Sequence, residues 1–489
     1  MVLNGRGGSS PPFRTICVLS SVSALAPCPN FMALRKNILL INPWVYDFTA
    51  YDFWMKPLGL LYVAALLEKY TSFDLFFIDC LDRQHPGLTK KLKSKPDGRG
   101  AFFKEEVSKP PVLRGVPRKY SRYGLPPSLF HHELNQIPIP DLVLLTCTMT
   151  YWYPGVQFAV EQLRQMFGRV PIALGGVYAS LMAEHAKRET GVDFVLKGPA
   201  EKTVGSLVRE LFGHSAFAEV HIDRLEDLPW PAFHFLNDRK TLPLLTSRGC
   251  PFECAFCASP LLSGGFDQVS PDPVLSLIEH AHRKHGTRNF AFYDDALLLQ
   301  KKTHIIPILE GLLGKNLLVA FHTPNGLHVK EIDAAMATLL WQSHFESLYL
   351  SQESFDEAFF EDASSKVAPG DLEAAVRHLI DAGYKSSQLN VYLMAGLPGQ
   401  DTESIKESIR HVHRLGVRPR LAYFSPVPGT STWEKMVKLG ILDRNADPLL
   451  HNKLTFPYIW GDVSPEEFVS LKDLASKGID SLPETQSNV

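Results

Sequence analysis

This chain of 489 residues lacks long apolar runs, an excess of charge of one sign and a dense framework of cysteines. No apolar run approaches the roughly 20 residues that a membrane-spanning helix needs, so we predict no membrane span. The net charge of -2 leaves no basic excess to neutralise phosphates, which predicts no nucleic-acid partner. The seven cysteines do not resemble the framework of a small secreted protein, and we predict a cytoplasmic location.

Three of the cysteines lie close together, at Cys250, Cys254 and Cys257, after a short apolar run typical of a strand. Closely spaced thiolates are ligands for zinc or for an iron–sulfur cluster. Closed sites of either kind take four protein ligands, whereas this sequence offers no fourth cysteine or histidine nearby and no cysteine after Cys257. A four-iron cluster on three cysteines leaves one iron open to another molecule. Zinc-binding or purely structural cysteines remain the alternative.

The spacing CxxxCxxC, with Phe256 directly before the third cysteine, resembles the signature of the radical S-adenosylmethionine superfamily. The resemblance implies that Cys250, Cys254 and Cys257 ligate a [4Fe–4S] cluster and that Phe256 lies beside S-adenosylmethionine. In this family the open iron binds S-adenosylmethionine, whose reductive cleavage releases a 5′-deoxyadenosyl radical. The resemblance also implies an electron donor of the flavodoxin or ferredoxin type.

Apolar strands alternate with helical patterns over residues 36–215, which predicts an α/β domain with a doubly wound, Rossmann-like parallel sheet. Ligands of such sheets bind at the carboxyl ends of the strands, near the point where the strand order reverses. The predicted strands are 37–43, 73–78, 141–146, 170–174 and 192–196.

Placed before the cysteine motif, this first domain resembles the cobalamin-binding domain of the cobalamin-dependent branch of the superfamily. The DxHxxG motif, which supplies a histidine to cobalt, is absent after the first strand, where the chain reads Asn42–Asp47. We therefore do not assign His85 as a cobalt ligand. A cobalamin-type fold that has lost its cofactor remains the alternative. The resemblance places four residues against the corrinoid: Thr148, Thr150, Gly175 and Gly176.

Six further strands alternate with helices over residues 241–430 and predict a partial (β/α)6 TIM-like barrel, whose chemistry belongs at the carboxyl ends of the strands. The predicted strands are 242–246, 289–293, 317–321, 347–350, 388–394 and 421–424. The resemblance assigns Asp294 or Asp295 to the amino group of S-adenosylmethionine, Glu353 to its ribose and methionine part, and Gly396 to its adenine side. His322 is either a proton-transfer residue or a hydrogen-bonded structural histidine.

The remaining segments lack motifs of their own. Residues 1–35 are predicted to be a leader that is disordered or precedes the true start, and residues 216–240 are predicted to be a linker. An insertion at 84–140, rich in Lys, Arg and Pro, is either a cap or acidic-substrate site over the substrate cavity, or a solvated irregular loop. A helical extension at 431–489 is expected to close the barrel and line the substrate pocket.

Taken together, the residues and the resemblance predict a cobalamin-dependent radical S-adenosylmethionine methyltransferase acting on an unactivated carbon. Its cofactors are a [4Fe–4S] cluster, S-adenosylmethionine and cobalamin, which carry the chemistry while the protein positions them and excludes water. The sequence assigns no further catalytic residue, and the small-molecule or peptide substrate is not identified by any motif. Two alternatives stay open: a radical rearrangement or carbon–carbon bond formation without methyl transfer, and a non-catalytic iron–sulfur or corrinoid-binding protein.

Overall fold

The computed structural model of the chain describes residues 35–355, 366–455, 458 and 463–477. The predicted leader lies outside these residues except for Arg35. The strands of the described residues, in chain order, are β1 (Asn37–Asn42), β2 (Val45–Asp47), β3 (Tyr51–Asp52), β4 (Asp74–Asp79), β5 (Gly100–Ala101), β6 (Lys104–Glu106), β7 (Ser121–Tyr123), β8 (Leu142–Thr146), β9 (Ile172–Gly175), β10 (Phe194–Val195), β11 (Thr241–Leu244), β12 (Ser247–Arg248), β13 (Asp267–Gln268), β14 (Asn289–Phe292), β15 (Ala320–His322), β16 (Leu327–His328), β17 (Phe345–Glu353), β18 (Leu389–Ala395) and β19 (Arg418–Tyr423).

Helices connect most of the long strands. None of those in the described part of the chain is long and apolar enough to cross a membrane. They are α1 (Leu58–Tyr70), α2 (Pro127–Leu134), α3 (Tyr153–Phe167), α4 (Val177–Leu181), α5 (Ala183–Glu189), α6 (Ala200–Phe212), α7 (Ser259–Ser263), α8 (Pro271–His285), α9 (Ile305–Lys315), α10 (Ala334–Gln342), α11 (Asp371–Asp381), α12 (Thr402–Arg414), α13 (Ser431–Lys438) and α14 (Pro465–Lys477).

The first sheet is parallel and has the order β10–β9–β8–β1–β4. Residues 38–41 of the interior strand β1 are fully buried, because helices cover both faces of the sheet. The strand order reverses between β1 and β8, so a crevice forms at the carboxyl ends of these strands. The predicted doubly wound sheet is confirmed.

The second sheet is also parallel and runs β11–β14–β15–β17–β18–β19, with β16 pairing beside β17. The path does not close among the described strands, since β11 and β19 do not pair, and the predicted partial barrel is confirmed. Stacked aromatic rings fill the layer between strands and outer helices. Phe292 and Phe345 lie 5.7 Å apart with nearly parallel rings, and Phe321 packs against both.

The insertion at 84–140 is not the solvated irregular loop that its composition allows. Strands β2, β7 and β6 form an antiparallel sheet, β3 pairs with β5, and α2 follows. The aromatic residues Tyr120, Tyr123 and Phe130 are buried in the core shared with the first sheet. Charged composition hid this packing, because the apolar residues that anchor the segment are few and widely spaced.

Part of the insertion lies at the amino-terminal end of the barrel rather than over its carboxyl-terminal end. A Cβ at Gly98 would meet the side chain of Thr241, the first residue of β11. Asn289, the first residue of β14, donates to the carbonyl oxygen of Pro96 at 3.4 Å. We call the residues that enter the barrel from this end the basal plug: Phe53, Trp54, Asp97, Gly98 and Arg99.

The basal plug fills the lower interior of the barrel. Trp54 stacks on His322 at 4.5 Å between ring centroids and donates from Nε1 to the Asp97 carbonyl oxygen at 2.7 Å. Arg99 lies 4.6 Å above the Trp54 ring and donates to the Tyr349 hydroxyl. His322 is bonded to Asn289, and burial lowers its pKa to about 4, so the geometry supports the structural interpretation of this histidine.

The carboxy-terminal extension contacts both the barrel and the region of the first sheet. Helix α14 packs against α12 and β19, whereas the 3-10 turn Pro448–His451 packs against the turn that follows β8 in the first sheet. Asn452 Nδ2 donates to Asp47 at 3.0 Å, and the Tyr153 hydroxyl donates to Asp447 at 3.1 Å. The extension therefore ties the two sheets together.

Candidate functional site

The three cysteines lie on a loop, residues 249–258, that leaves the carboxyl-terminal side of β11 and β12. Gly249 begins this cysteine loop with a φ of 81°, and a Cβ there would meet the Gly265 carbonyl oxygen, so glycine is required. The Cys257 amide donates to the Cys254 carbonyl oxygen at 2.9 Å, and the Ser259 amide donates to the Cys257 sulfur at 3.4 Å. A compact turn thus presents all three cysteines.

The chemistry of these thiols suits a multinuclear centre with open iron. Burial raises the pKa of each thiol, that of Cys254 to about 11. Thiolates in this loop therefore need positive charge beside them, which bound iron supplies. Three thiolates leave one iron of a [4Fe–4S] cluster open to another molecule, whereas a closed zinc site takes a fourth protein ligand.

Of the two adjacent carboxylates after β14, Asp294 is used to hold the base of the cysteine loop. It is 3% exposed and accepts from the Thr246 amide at 3.1 Å and from the Thr246 and Ser247 hydroxyls at 2.7 Å each. Burial raises the pKa of Asp294 to about 6. Because its oxygens are engaged, the geometry does not support the prediction that Asp294 binds the amino group of S-adenosylmethionine.

Asp295 contacts the opposite end of the cysteine loop, at Ser259, whereas Asp294 contacts the residues that precede the loop. Its Oδ2 accepts from the Ser259 hydroxyl at 2.5 Å, and its negative charge raises the pKa of the Cys257 thiol after the larger effect of burial. Asp295 therefore remains the candidate for the amino-group contact.

Asp294 and Asp295 are expected to differ in their effect on stability. We predict that Asp294→Ala lowers the free energy of unfolding by about 3 kcal/mol, because it leaves the buried donors of Thr246 and Ser247 without an acceptor. Thermal or denaturant unfolding will measure this. Asp295→Ala is the matched control and should cost less than about 1 kcal/mol, since Asp295 is exposed to solvent whereas Asp294 is buried. Equal losses would contradict the assignment.

Glu353 and Lys366 form an ion pair that faces the cysteine loop. The Lys366 Nζ lies 3.1 Å from Glu353 Oε1, and both side chains are largely buried. Burial alone would lower the pKa of Lys366, but Glu353 and the thiols of Cys254 and Cys250 outweigh it and raise the pKa. Glu353 has a φ of 66°, uncommon for a residue other than glycine, at the end of β17. Sequence reasoning missed Lys366, because no motif surrounds it.

The two other residues assigned to S-adenosylmethionine are Phe256, inside the cysteine loop, and Gly396, directly after β18. Phe256 packs against an apolar group from β19 and α13 that includes Phe424 and Trp433, which fixes the middle of the cysteine loop. Gly396 lies buried after β18 with a φ of 90°, and its amide donates to Gln400 Oε1 at 2.9 Å. Both lie at carboxyl ends of barrel strands, as predicted from the pattern.

A cavity of about 360 Å³ lies between the carboxyl ends of β8 and β9 and the start of the cysteine loop. We call it the intersheet cavity. A Cβ at Gly175 would meet nothing within 4 Å, whereas one at Gly176 would lie 2.7 Å from the Cys147 carbonyl oxygen. The walls of the intersheet cavity are mainly apolar and come from the parts of the chain around both sheets. They are Leu58, Tyr62, Thr146, Gly175, Gly176 and Glu201 on one side, and Leu245, Arg248, Leu262 and Tyr293 on the other.

The intersheet cavity suits a corrinoid at Gly175, where no side chain occupies the open space and the backbone can approach a broad macrocycle closely. At Gly176 the absence of a Cβ is required by the Cys147 carbonyl oxygen. The other two predicted contacts differ. Thr148 is exposed on the loop after β8, and Thr150 is buried with its hydroxyl 3.2 Å from His451 Nδ1. The geometry therefore does not support Thr150 as a corrinoid contact. His85 lines a separate cavity beside Glu133, consistent with leaving it unassigned.

Two family models match the chain. Residues 244–412 match the model of the radical SAM superfamily, which spans the cysteine loop and most of the barrel. Residues 138–208 match the model of the B12 binding domain, which spans β8 to α6 and includes Gly175 and Gly176.

Named relatives and a solved structure are similar to the chain over most of its length. The uncharacterized methyltransferase PH0819 of Pyrococcus horikoshii is 24% identical over 62% of this chain and 71% of its own. The cytidylyl-2-hydroxyethylphosphonate methyltransferase of Streptomyces wedmorensis is 19% identical over 83% of each. The radical S-adenosylmethionine methyltransferase TsrM of Kitasatospora setae, solved with cobalamin and a [4Fe–4S] cluster, has a TM-score of 0.61 at 14% identity, covering 86% of this chain and 82% of that one.

The matches agree with the geometry at both places. The B12 binding match contains the glycines of the intersheet cavity, and the radical SAM match contains the cysteine loop. The cofactors of the chain are a [4Fe–4S] cluster, S-adenosylmethionine and cobalamin. The chain carries a B12 binding domain followed by a radical SAM domain, and this combination is similar to that of the cobalamin-dependent radical S-adenosylmethionine enzymes.

Proposed function

We propose that this enzyme transfers a methyl group to an unactivated carbon. One observation carries the proposal: the intersheet cavity reaches the start of the cysteine loop, because Arg248 lines the cavity two residues before Cys250. When bound, the cluster with S-adenosylmethionine supplies a 5′-deoxyadenosyl radical, and cobalamin supplies the methyl group. Both curated relatives described above are named methyltransferases, which supports methyl transfer over a rearrangement.

The chain's own residues position these groups and exclude water. Cys250, Cys254 and Cys257 hold the cluster, Asp295 accepts from the amino group of S-adenosylmethionine, and Gly175 and Gly176 admit the corrinoid. The basal plug closes the lower barrel, so the reacting groups meet in its upper part. A flavodoxin- or ferredoxin-type protein supplies the electron that reductive cleavage consumes.

We propose that Lys366 faces the carboxylate of S-adenosylmethionine, with Glu353 orienting its ammonium group. Lys366→Gln should weaken the affinity for S-adenosylmethionine at least about tenfold, because a charge-assisted hydrogen bond is lost. Equilibrium binding to the reconstituted protein will measure this. Lys119→Gln is the matched control, since Lys119 forms a surface pair with Glu106 far along the insertion. Unchanged affinity in Lys366→Gln with full iron content would refute the role.

The reaction class is tested on anaerobically reconstituted protein given dithionite and S-adenosylmethionine. We expect 5′-deoxyadenosine to form, and S-adenosylhomocysteine to form only after hydroxocobalamin is added. Formation of 5′-deoxyadenosine without cobalamin-dependent S-adenosylhomocysteine would favour a radical rearrangement. Neither product, with an intact cluster, would favour a non-catalytic protein.

A further inference from the structure

An ion pair joins the two sheets beside the intersheet cavity. Arg248 on β12 pairs with Glu201 in the first turn of α6, and their side chains are 23% and 9% exposed. Both line the intersheet cavity, and they lie 47 residues apart in the chain. The pair therefore connects the helix that follows the last strand of the first sheet with the strand that enters the cysteine loop.

Movement at Arg248 is transmitted to Cys250 because the chain around it has little freedom. Thr246 and Ser247, directly before Arg248, are fixed by Asp294. Gly249, directly after it, has a φ of 81° and packs so closely that a Cβ would lie 2.0 Å from the Gly265 carbonyl oxygen. A close-packed segment of this kind passes a displacement on rather than absorbing it.

Filling the intersheet cavity changes the surroundings of this pair. The Arg248 side chain is 23% exposed, and water at such a side chain screens its attraction to Glu201. A corrinoid in the cavity displaces that water and lowers the local dielectric, so that the attraction between the two charges becomes stronger. Arg248 is then held more firmly in its position on β12, and the cysteine loop that follows it is held more firmly in the conformation seen in this structure.

We propose that the Arg248–Glu201 pair couples the two cofactor sites, so that cobalamin in the intersheet cavity raises the affinity of the cysteine loop's site for S-adenosylmethionine. Arg248 acts here as a positioning residue. The inference rests on the proposed cofactor sites but goes beyond them, because it concerns the free energy that links them. Linkage requires that S-adenosylmethionine raise the affinity for cobalamin by the same factor.

The test measures four dissociation constants on the full-length, cluster-reconstituted protein. They are the constants for S-adenosylmethionine with and without saturating hydroxocobalamin, and for hydroxocobalamin with and without saturating S-adenosylmethionine. We expect each ligand to tighten the other at least about fivefold, with equal factors in the two directions. In Arg248→Gln and in Glu201→Gln, iron content persists and the ratio of the two dissociation constants of each ligand falls toward one, whatever change either variant makes to the dissociation constant of hydroxocobalamin alone.

Two further variants separate coupling from general loss of structure. Arg248→Lys keeps the charge and should retain part of the coupling, whereas Lys119→Gln removes an exposed cation elsewhere and should leave it unchanged. A factor of one in the unaltered protein that binds both ligands, or an unchanged factor in both glutamine variants, would overturn the coupling while leaving the proposed function intact. Failure of the unaltered protein to bind hydroxocobalamin would overturn both.

Discussion

Alanine at any one of Cys250, Cys254 or Cys257 will leave the reconstituted protein with little or no [4Fe–4S] cluster. A cluster on three cysteines has no spare protein ligand, and the described residues offer no other thiol in the loop. The expected iron content falls from about four per chain to below about one, and formation of 5′-deoxyadenosine is lost. Iron analysis, the visible spectrum and electron paramagnetic resonance will measure the change.

Cys80→Ala provides the control for this series. Cys80 is fully buried in the core of the first sheet, and burial raises the pKa of its thiol well above the ordinary value. A thiol held protonated in an apolar core is a poor metal ligand. We expect this variant to retain its iron. Full iron and 5′-deoxyadenosine formation in any of the three loop variants would refute the ligand assignment.

Gly175→Leu will weaken the binding of cobalamin while leaving the cluster in place. A Cβ at Gly175 meets no atom within 4 Å, so the larger side chain projects into the intersheet cavity without disturbing the strand. A corrinoid then meets a steric clash of about 1–3 kcal/mol or more, a loss of affinity of roughly ten- to a hundredfold. Cobalt analysis after incubation with hydroxocobalamin, together with iron analysis, will measure both cofactors.

The matched control is Gly115→Leu, which adds the same side chain at an exposed glycine that also has open space around its Cβ position. Its cobalamin affinity should equal that of the unaltered protein. If Gly175→Leu binds hydroxocobalamin as tightly as Gly115→Leu does, the corrinoid does not occupy the intersheet cavity at this glycine.

Both sheets were predictable from sequence because their signal is local. The run that forms β8 is apolar and bounded by turn residues, and its predicted bounds differ from the observed ones by one residue. The cysteine loop was predictable for the same reason, since its three ligands lie within eight positions. Periodicity and close spacing can be recognised within one short segment, without knowing which distant residues that segment contacts.

The rest depends on contacts between distant segments. Asp294 and Asp295 have the same chemistry, and only the direction of each side chain at the end of β14 separates a structural carboxylate from one facing the cysteines. From the sequence, the Thr150 hydroxyl is available to bind a ligand, but in the structure it lies against His451, about 300 residues later in the chain. Lys366 lies in no motif, and only its ion pair with Glu353 in the folded chain indicates a role for it. No local pattern encodes such pairings.

The basal plug has a consequence for how this protein can be divided and recombined. The barrel's lower interior is completed by Trp54 and Arg99, which belong to the other half of the chain, and the extension near Asn452 returns to Asp47. A cut within residues 216–240, the predicted linker, would therefore leave the lower interior of the barrel unfilled. It would also remove the contacts that the carboxy-terminal extension makes with the first half of the chain. Chimaeras that exchange the two halves between relatives must therefore keep the basal plug with its own barrel and the carboxy-terminal extension with its own first sheet.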